Sequence, residues 1–194
     1  MSHRRLRYLV APACAALLLS CSDASDEATS GNGMEQVERR LELQHHQALL
    51  ARMAAPESTL APFTTDGCSG GLSVGWEYLA ERIVTLQERH GTRPPWEECC
   101  VEHDRRYHAG PAGPATAEES FQARKQADLD LQACVLATGE TRATELSAEY
   151  NVTTGTVRTL YAAIAELMYH AVRAGGMPCT GLPWRWGYGW PPCD

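Results

Sequence analysis

The segment from Trp96 to Tyr107 holds a histidine, His103, that could take part in acid–base chemistry. In the segment WEECCVEHDRRY, a helical register places Trp96, Cys99, His103 and Tyr107 on one face. Asp104 lies about 100° round the helix from His103. Histidine is the side chain whose ordinary pKa best suits proton transfer near neutral pH. A histidine on an apolar helix face is, taken alone, more typical of a structural residue than of a catalytic one.

Asp128, further along the chain, needs a buried partner, and this need favours a catalytic interpretation of His103. The apolar face of the helix predicted there holds Phe121, Leu131 and Val135, and Asp128 falls in the middle of that face. An unpaired charge buried in such a place costs several kcal/mol, so we expect its carboxylate to be hydrogen-bonded. A facing imidazole would be a suitable partner, which makes His103 a candidate general base.

These residues resemble those of a known family. The segment CCVEHDRRY, which starts at Cys99, resembles the active-site signature of the secreted phospholipase A2 superfamily, Cys-Cys-x-x-His-Asp with a Tyr one turn later. Asp128, six residues before Cys134, matches that family's second aspartate and the cysteine after it. The segment TDGCSGG, residues 65–71, resembles the calcium loop before the catalytic helix. The similarity covers about residues 63–135.

The resemblance implies a hydrolase. His103 would take a proton from the water that attacks the sn-2 ester carbonyl of a glycerophospholipid. Asp128 would fix the tautomer of the imidazole and support the imidazolium, and Tyr107 would hydrogen-bond Asp128. The alternative, from a different class, is a disulfide-bonded lipoprotein that binds lipid or a protein on the same scaffold without turnover.

Calcium is the cofactor that the resemblance implies. Asp104 would bind Ca²⁺, which polarises the carbonyl and neutralises the oxyanion and the lipid phosphate. The animal enzymes use a longer loop, rich in Cys and Gly. Here the Asp66 carboxylate would join the Gly67 carbonyl, as in the shorter bacterial members. Glycine-rich turns also occur for purely conformational reasons, so a loop without metal is the alternative.

Six cysteines are expected to form disulfides in an oxidising compartment. Of the eight in the chain, Cys14 would leave with the export signal and Cys21 would be acylated. Spacing alone leaves every pairing open. A zinc site is the competing use, but adjacent cysteines on a helix point about 100° apart, which suits two separate partners better than one tetrahedral ion. The resemblance implies the pairs Cys68–Cys100 and Cys99–Cys134, which leaves Cys179–Cys193 by elimination.

The partner of the histidine has two candidates. If the two helices run antiparallel from the implied disulfide, His103 lies ~6 Å and Asp128 ~9 Å along from it, at about 1.5 Å per residue. Asp130 matches the height of His103 better but falls on the Ala123/Ala127 side of its helix. We therefore prefer Asp128 and keep Asp130 as the alternative.

Helices are the elements that must position these residues. Apolar residues recur every three or four positions in residues 34–55, 76–90 and 154–174. In the first stretch they are Met34, Val37, Leu41, Leu49 and Met53. Thr116 and Glu119 form a capping-box pattern that opens the helix carrying Asp128. No convincing alternating strand appears. The predicted fold is therefore mainly α, a disulfide-linked, phospholipase A2-like domain with two antiparallel active-site helices.

The first 21 residues, MSHRRLRYLVAPACAALLLSC, are typical of an export signal. A basic start precedes an apolar run of about 12 residues, too short to span a bilayer. The end resembles the lipobox of bacterial lipoproteins, in which the cysteine, here Cys21, is acylated. We predict a chain anchored by lipid to the bacterial cell envelope, at the outer membrane or cell surface, or released from it. Ordinary signal cleavage to a soluble secreted protein is the alternative.

Three segments follow from this organisation. Residues 1–20 are the signal, and residues 21–33, which are small, polar and acidic, are a flexible linker. Residues 34–194 are the phospholipase A2-like domain with a Trp-rich tail. The tail holds Trp184, Trp186 and Trp190. These rings either settle at the headgroup level of a membrane or cap the core, and we prefer the second.

Charge excludes one class of partner. Removing residues 1–20, which hold three Arg and no acid, takes the net charge from −7 to −10. So acidic a domain is a poor candidate for binding nucleic acid, which rewards clusters of Lys and Arg. The expected partner is a phospholipid membrane surface. No protein partner is indicated.

Overall fold

The computed structural model describes residues 23–68 and 93–193, and this part of the chain is helical, without a β-strand. The chain divides into two compact units, residues 1–37 and 38–194, and every contact that builds the site lies within the second. The prediction of a mainly helical fold is confirmed. The described helices are α1 (Asp23–Met53), α2 (Glu97–Ala109), α3 (Ala117–Thr141), α4 (Ala143–Tyr150) and α5 (Thr154–Gly175).

Some sequence predictions lie outside the described residues, namely the export signal, the lipidated Cys21 and the helix of residues 76–90. Helix α1 includes residues 23–33, where the composition predicts a linker. That this stretch connects a lipid anchor to the domain stays a prediction. Among the described helices, none has an apolar stretch long enough to cross a membrane.

Local sequence signals set the starts of α3 and α5. Thr116 Oγ1 accepts a hydrogen bond from Glu119 N at 3.2 Å, and Glu119 Oε2 accepts one from Thr116 N at 2.7 Å, which is the predicted capping box. Thr153 caps α5, with its hydroxyl oxygen accepting from Thr156 N at 3.0 Å. These bonds satisfy amide groups that the first helical turn leaves without partners.

Helices α2 and α3 run antiparallel, as the sequence predicts. Cys99 is joined to Cys134, and four residues further along α2, His103 faces Asp128. Rising residue numbers on α2 therefore meet falling numbers on α3. The face of α2 that turns inward is the predicted one, since Trp96, Cys99, His103 and Tyr107 are all buried.

Three disulfide bonds link distant parts of the described chain. Two of them start from adjacent residues of α2 and leave the helix in different directions, one to the preceding loop and one to α3. They span sequence separations of 32 and 35 residues, and closing such loops removes conformational freedom from the unfolded chain. The bonds join Cys68 to Cys100 and Cys99 to Cys134, the two pairs that the resemblance implies, and Cys179 to Cys193, the pair left by elimination.

The larger apolar core lies where α3, α4 and α5 meet the start of α2. Trp96 packs edge-on against Tyr161, with ring centroids 5.3 Å apart. Val135 of α3 is fully buried in the same cluster. Leu160 and Leu167, which the periodicity of α5 also predicts as core, are 44% and 66% exposed. The described helices cover only one side of α5, so its apolar stripe is wider than its contact surface.

The Trp-rich tail divides between core and surface. Trp186 is 2% exposed, packs edge-on against Tyr107 and donates a hydrogen bond to Ser120 Oγ at 3.1 Å. Trp190 is partly buried and donates to the carbonyl of the last residue of α2 at 2.9 Å. These two rings cap the core, as the preferred interpretation predicts. Trp184 is 40% exposed and does not.

Gly139 provides a test of how closely α3 and α5 pack. A Cβ at this position would lie 2.4 Å from Tyr161 Cβ. Alanine gains about 1 kcal/mol of helix propensity over glycine, but overpacking typically costs about 1–3 kcal/mol. We therefore expect Gly139→Ala to lower the free energy of unfolding by about 1 kcal/mol or more in a urea titration followed by circular dichroism. Gly155→Ala on α5 is the control, because a Cβ there would make only an ordinary contact, 3.6 Å from Thr153 Oγ1. This variant is expected to be neutral or stabilising, and similar results for both variants would contradict the close packing.

Candidate active site

The predicted pair of His103 and Asp128 is formed. His103 projects from α2 and Asp128 from α3, and His103 Nε2 lies 3.0 Å from Asp128 Oδ1. Asp128 has no exposed surface, and His103 is 7% exposed. Asp130, the alternative partner, forms an ion pair with Arg106 at the surface instead. The structure therefore brings together the preferred pair.

Tyr107, one helical turn after His103, contacts the same carboxylate oxygen. Its hydroxyl donates to Asp128 Oδ1 at 2.6 Å, and its ring centroid lies 4.1 Å from that of His103. Gly176 makes room for this ring, because a Cβ there would lie 2.6 Å from the Tyr107 hydroxyl oxygen. Gly176 has an ordinary φ of −92°, so the close approach is what requires glycine at this position.

A buried network of charges surrounds the other oxygen of Asp128. Arg173 Nη1 donates to Asp128 Oδ2 at 2.9 Å, and Arg173 Nη2 donates to Glu42 Oε2 at 2.9 Å. Arg124, which is fully buried, also bonds Glu42 and donates through Nε to the Tyr107 hydroxyl at 3.0 Å. Two guanidinium groups thus face two carboxylates. Their formal charges cancel, which is the condition under which buried charges are tolerated.

The network joins α1 to the rest of the site. Glu42 and His46 are one turn apart on α1, and His46 Nε2 lies 3.4 Å from Glu42 Oε1. The other ring nitrogen, His46 Nδ1, lies 2.7 Å from Ser120 Oγ, which also accepts the Trp186 indole hydrogen bond. Arg124 Nη2 donates to two carbonyl groups in the last turn of α5, at 2.8 and 2.7 Å. One of them, the Val172 carbonyl, also accepts from the capping residue Gly176 N at 2.9 Å, so Arg124 adds to the backbone cap of α5.

Sequence reasoning missed this network, although part of it left a signal. Arg124 precedes Asp128 by four residues on the same apolar face, so the argument that singles out Asp128 applies to it equally. On α1 the predicted apolar Leu41 is 53% exposed, and the buried stripe begins with Glu42 instead. The reason is that Glu42 pairs with Arg124 and Arg173. No pattern in the sequence indicates that pairing.

The imidazole borders a small cavity of about 50 Å³. Asp66, Gly67 and Asp104 line this cavity together with His103. His103 Nε2 is occupied by Asp128, which leaves Nδ1 as the nitrogen available for a second contact. Nδ1 lies 4.0 Å from Asp104 Oδ1. The sequence-predicted base and the two predicted metal-binding acids therefore border one space.

Asp66 and Asp104 come from separate segments of the chain, and hydrogen bonds of Thr65 link these segments. Thr65 Oγ1 donates to Asp104 Oδ2 at 2.6 Å and accepts from Gly67 N at 2.9 Å. Carboxylate and carbonyl oxygens are the donors that Ca²⁺ prefers, so Asp66, Asp104 and the Gly67 carbonyl fit such an ion by type. Among the described residues, no group of three or more His, Cys, Asp or Glu side chains is placed to hold a metal ion by itself. Backbone carbonyls or water would therefore complete a calcium site; residues 69–71 of the predicted loop lie outside the described chain.

Burial and charge shift the titration of the site. Burial lowers the pKa of His103, but the neighbouring carboxylates of Asp104 and Asp128 raise it, and the net direction is upward. Burial, together with the charge of Asp128, raises the pKa of Tyr107 well above its usual value. The Tyr107 hydroxyl therefore stays protonated and acts as a donor to Asp128.

The arrangement suits general-base chemistry. One imidazole nitrogen is held by a buried carboxylate, and the ring borders a cavity that carries two further carboxylates. Comparison of the chain with protein-family models, curated proteins and solved structures finds no match. The function is therefore inferred from the residues of the site.

Glu42 predicts how stability depends on pH. Burial raises its pKa, but the hydrogen bond with His46 and the charges of Arg124 and Arg173 outweigh this and lower it from 4.5 to about 2. A carboxyl whose pKa is lower in the folded state stabilises the fold above its unfolded pKa and loses that contribution as pH falls. We expect roughly 2 kcal/mol of this contribution to disappear between pH 6 and pH 3.

The measurement is urea unfolding of the wild type and of Glu42→Gln at several pH values in this range. The variant is expected to be less stable at pH 6 and to lose less stability on acidification. A variant that loses stability as steeply as the wild type would contradict the assigned role of Glu42.

Arg124 tests whether the buried charges act together. Arg124→Leu removes one of the two guanidinium groups that bind Glu42, which leaves the buried cluster with a net negative charge. Breaking a buried ion pair costs about 3–5 kcal/mol. Arg158→Leu removes a similar side chain from an exposed pair with Glu140, where a loss of about 1 kcal/mol or less is expected. Urea unfolding measures both variants. Equal destabilisation by the two substitutions would show that the buried arginine is no more important than the exposed one.

Proposed function

We propose that this chain is a calcium-dependent hydrolase of the sn-2 ester of glycerophospholipids, with a phospholipase A2-like active site. The observation that carries the proposal is the position of the His103 imidazole. Its Nε2 contacts the buried Asp128 carboxylate, and its ring borders the cavity that Asp66 and Asp104 also line. A histidine buried only for structural reasons would need Asp128 as its partner, but not the two further acids, Asp66 and Asp104.

The proposed reaction uses His103 as a general base. Nδ1 takes a proton from water while the water oxygen forms a bond to the ester carbonyl carbon. As the tetrahedral intermediate collapses, the ester C–O bond breaks. The imidazolium returns the proton to the leaving alkoxide, which gives a free fatty acid and a lysophospholipid.

Asp128 and Tyr107 serve as positioning groups in this scheme. The Asp128 carboxylate accepts the Nε2 hydrogen, so it fixes the tautomer that leaves a lone pair on Nδ1 and stabilises the imidazolium that forms. Tyr107 and Arg173 each hold one oxygen of Asp128, at 2.6 and 2.9 Å, so the carboxylate is held against rotation. Preorganisation of this kind avoids rearrangement during the reaction.

The acids on the cavity would hold the cation. Asp104, Asp66 and the carbonyl of Gly67 are the residues we assign to it. When bound, Ca²⁺ supplies Lewis-acid stabilisation of the charge on the ester oxygen. In the same proposal, the chain is exported and anchored by lipid at Cys21, which keeps the domain at the membrane surface where its substrate lies.

Release of labelled fatty acid from vesicles tests the proposal. The vesicles contain a phospholipid labelled in its sn-2 chain, and release is measured with Ca²⁺ and with a chelator. We expect release that needs Ca²⁺ and that falls roughly 100-fold or more in His103→Gln, since a general base contributes about that much. His170→Gln, the same substitution at an exposed histidine of α5, is expected to keep full activity.

A second pair of variants tests the metal assignment. Asp104→Asn is expected to abolish the response to Ca²⁺, whereas Asp130→Asn, on the surface of α3, is expected to retain it. Circular dichroism establishes that each variant is folded. Folded, disulfide-bonded protein that releases no fatty acid from any headgroup class would overturn the proposal and favour a lipid- or protein-binding lipoprotein. Release that is unaffected by His103→Gln would remove the catalytic assignment.

A further inference from the structure

A second, larger cavity lies beside the proposed active site. Its volume is about 310 Å³, near the lower end of the roughly 300–1,000 Å³ that is typical of small-molecule sites. It shares Asp66, Asp104 and Trp184 with the small cavity beside His103. The two cavities therefore meet at the carboxylates and at one indole ring. The remaining lining residues are Thr64, Thr65, Pro183 and Tyr188.

The walls of this cavity have a composition that favours a cation. Two aromatic rings, Trp184 and Tyr188, stand beside two carboxylates, and none of the described residues that line it is basic. Arg105, a nearby base, lies over the Phe63 ring instead, 4.6 Å from its centroid. The faces of Trp and Tyr attract cations, and quaternary ammonium groups are the ligands most often held in this way.

The Tyr188 ring, and the backbone between it and Trp184, are held in place before any ligand arrives. The Tyr188 hydroxyl donates to the Thr64 carbonyl at 2.6 Å, and its ring packs edge-on against His108 at 5.1 Å. Between the two rings of the cavity, Trp186 is buried in the core and Gly187 N donates to the Tyr107 carbonyl at 2.6 Å. The wall is therefore fixed to the active-site helix α2. Trp184 keeps 40% of its surface exposed, so its ring is available to a ligand.

The attraction for a cation comes from the two rings and not from the carboxylates. Asp66 and Asp104 are the residues assigned to Ca²⁺ in the proposed function, and a bound Ca²⁺ would neutralise their charge. The faces of Trp184 and Tyr188 would still attract a cationic group. A ligand with no cationic group would gain nothing from the rings.

We infer that this cavity binds the ammonium end of a zwitterionic phospholipid headgroup, with a trimethylammonium group against Trp184 and Tyr188. The inference rests on the proposed function, since it names the substrate class of the same site. The phosphate and the ester of such a lipid would then lie on the side of Asp66, Asp104 and His103. Choline lipids are therefore the preferred substrates, ahead of lipids with an anionic headgroup such as phosphatidylglycerol.

Binding is tested without turnover by nuclear magnetic resonance of the full chain labelled with ¹⁵N. The Trp184 indole N–H signal is assigned by its loss in Trp184→Phe. Phosphocholine and tetramethylammonium are expected to shift this signal, and glycerol 3-phosphate is not. Shifts with glycerol 3-phosphate equal to those with phosphocholine, or no shift with either ammonium probe, would overturn the inference.

Hydrolysis tests the same inference through substrate preference. The substrates are short-chain, monomeric phosphatidylcholine and phosphatidylglycerol, so that membrane charge plays no part. We expect the wild type to favour phosphatidylcholine by about fivefold to thirtyfold, the range between an exposed and a desolvated cation–π contact. Trp184→Ala is expected to lose most of this preference, because it slows hydrolysis of phosphatidylcholine more than that of phosphatidylglycerol. Trp184→Phe, which keeps an aromatic face, is expected to retain part of it.

The outcomes separate this inference from the proposed function. No hydrolysis of either substrate by the wild type would overturn the proposed function, while the resonance experiment still decides whether the cavity takes an ammonium group. Hydrolysis that depends on His103 with equal rates for both lipids would support the function and overturn the headgroup assignment. If Trp184→Ala does not fold, Trp184→Leu and the ligand titration of the wild type provide the same decision.

Discussion

The burial of the Asp128 carboxylate is the constraint on which the rest of this structure depends. A charge with no exposed surface is tolerated only when donors surround it. Here His103 and Tyr107 share one oxygen, and Arg173 binds the other. These donors come from α2 and α5, while Asp128 itself comes from α3. Three helices must therefore meet at one carboxylate.

Arg173 creates a second requirement, because it brings a further charge into the interior. Glu42 of α1 accepts hydrogen bonds from Arg173 and from Arg124, so the cluster of two acids and two arginines is formally neutral. Removing any one of these groups would leave a buried charge uncompensated, which is more costly than losing an exposed ion pair. The network thereby makes α1 part of the support of the proposed catalytic pair, although none of the described lining residues of the small cavity comes from α1.

The Trp-rich tail contributes one ring to the core and two rings to the cavity proposed to bind the lipid headgroup. Trp186 fills the space beside Tyr107 and reaches Ser120, so it completes the inner face of the site. Two residues to either side, Trp184 and Tyr188 line the outer cavity. The burial of Trp186 and the hydrogen bond from Gly187 N to the Tyr107 carbonyl attach the backbone of this segment to α2. The disulfide from Cys179 to Cys193 closes this segment.

The sequence by itself determined the helices and, within the site, the pairing of His103 with Asp128. Helical periodicity and the Thr116 capping box depend on residues three or four apart, so they are legible before any tertiary contact is known. The pairing of His103 with Asp128 was predictable for a related reason, since a lone acid on an apolar helix face needs a buried partner. Arg124 lies on the same apolar face, so its need for a buried partner was predictable on the same ground.

Only the tertiary structure decided the rest. Glu42 is separated from Arg124 by 82 residues and from Arg173 by 131, and nothing local marks either pair. Whether a tail tryptophan lies in the core or on the surface likewise depends on which helices it meets. The spacing of apolar residues indicates which face of a single helix is buried. The compensation of buried charge depends instead on how several helices pack together. That packing is a property of the whole fold.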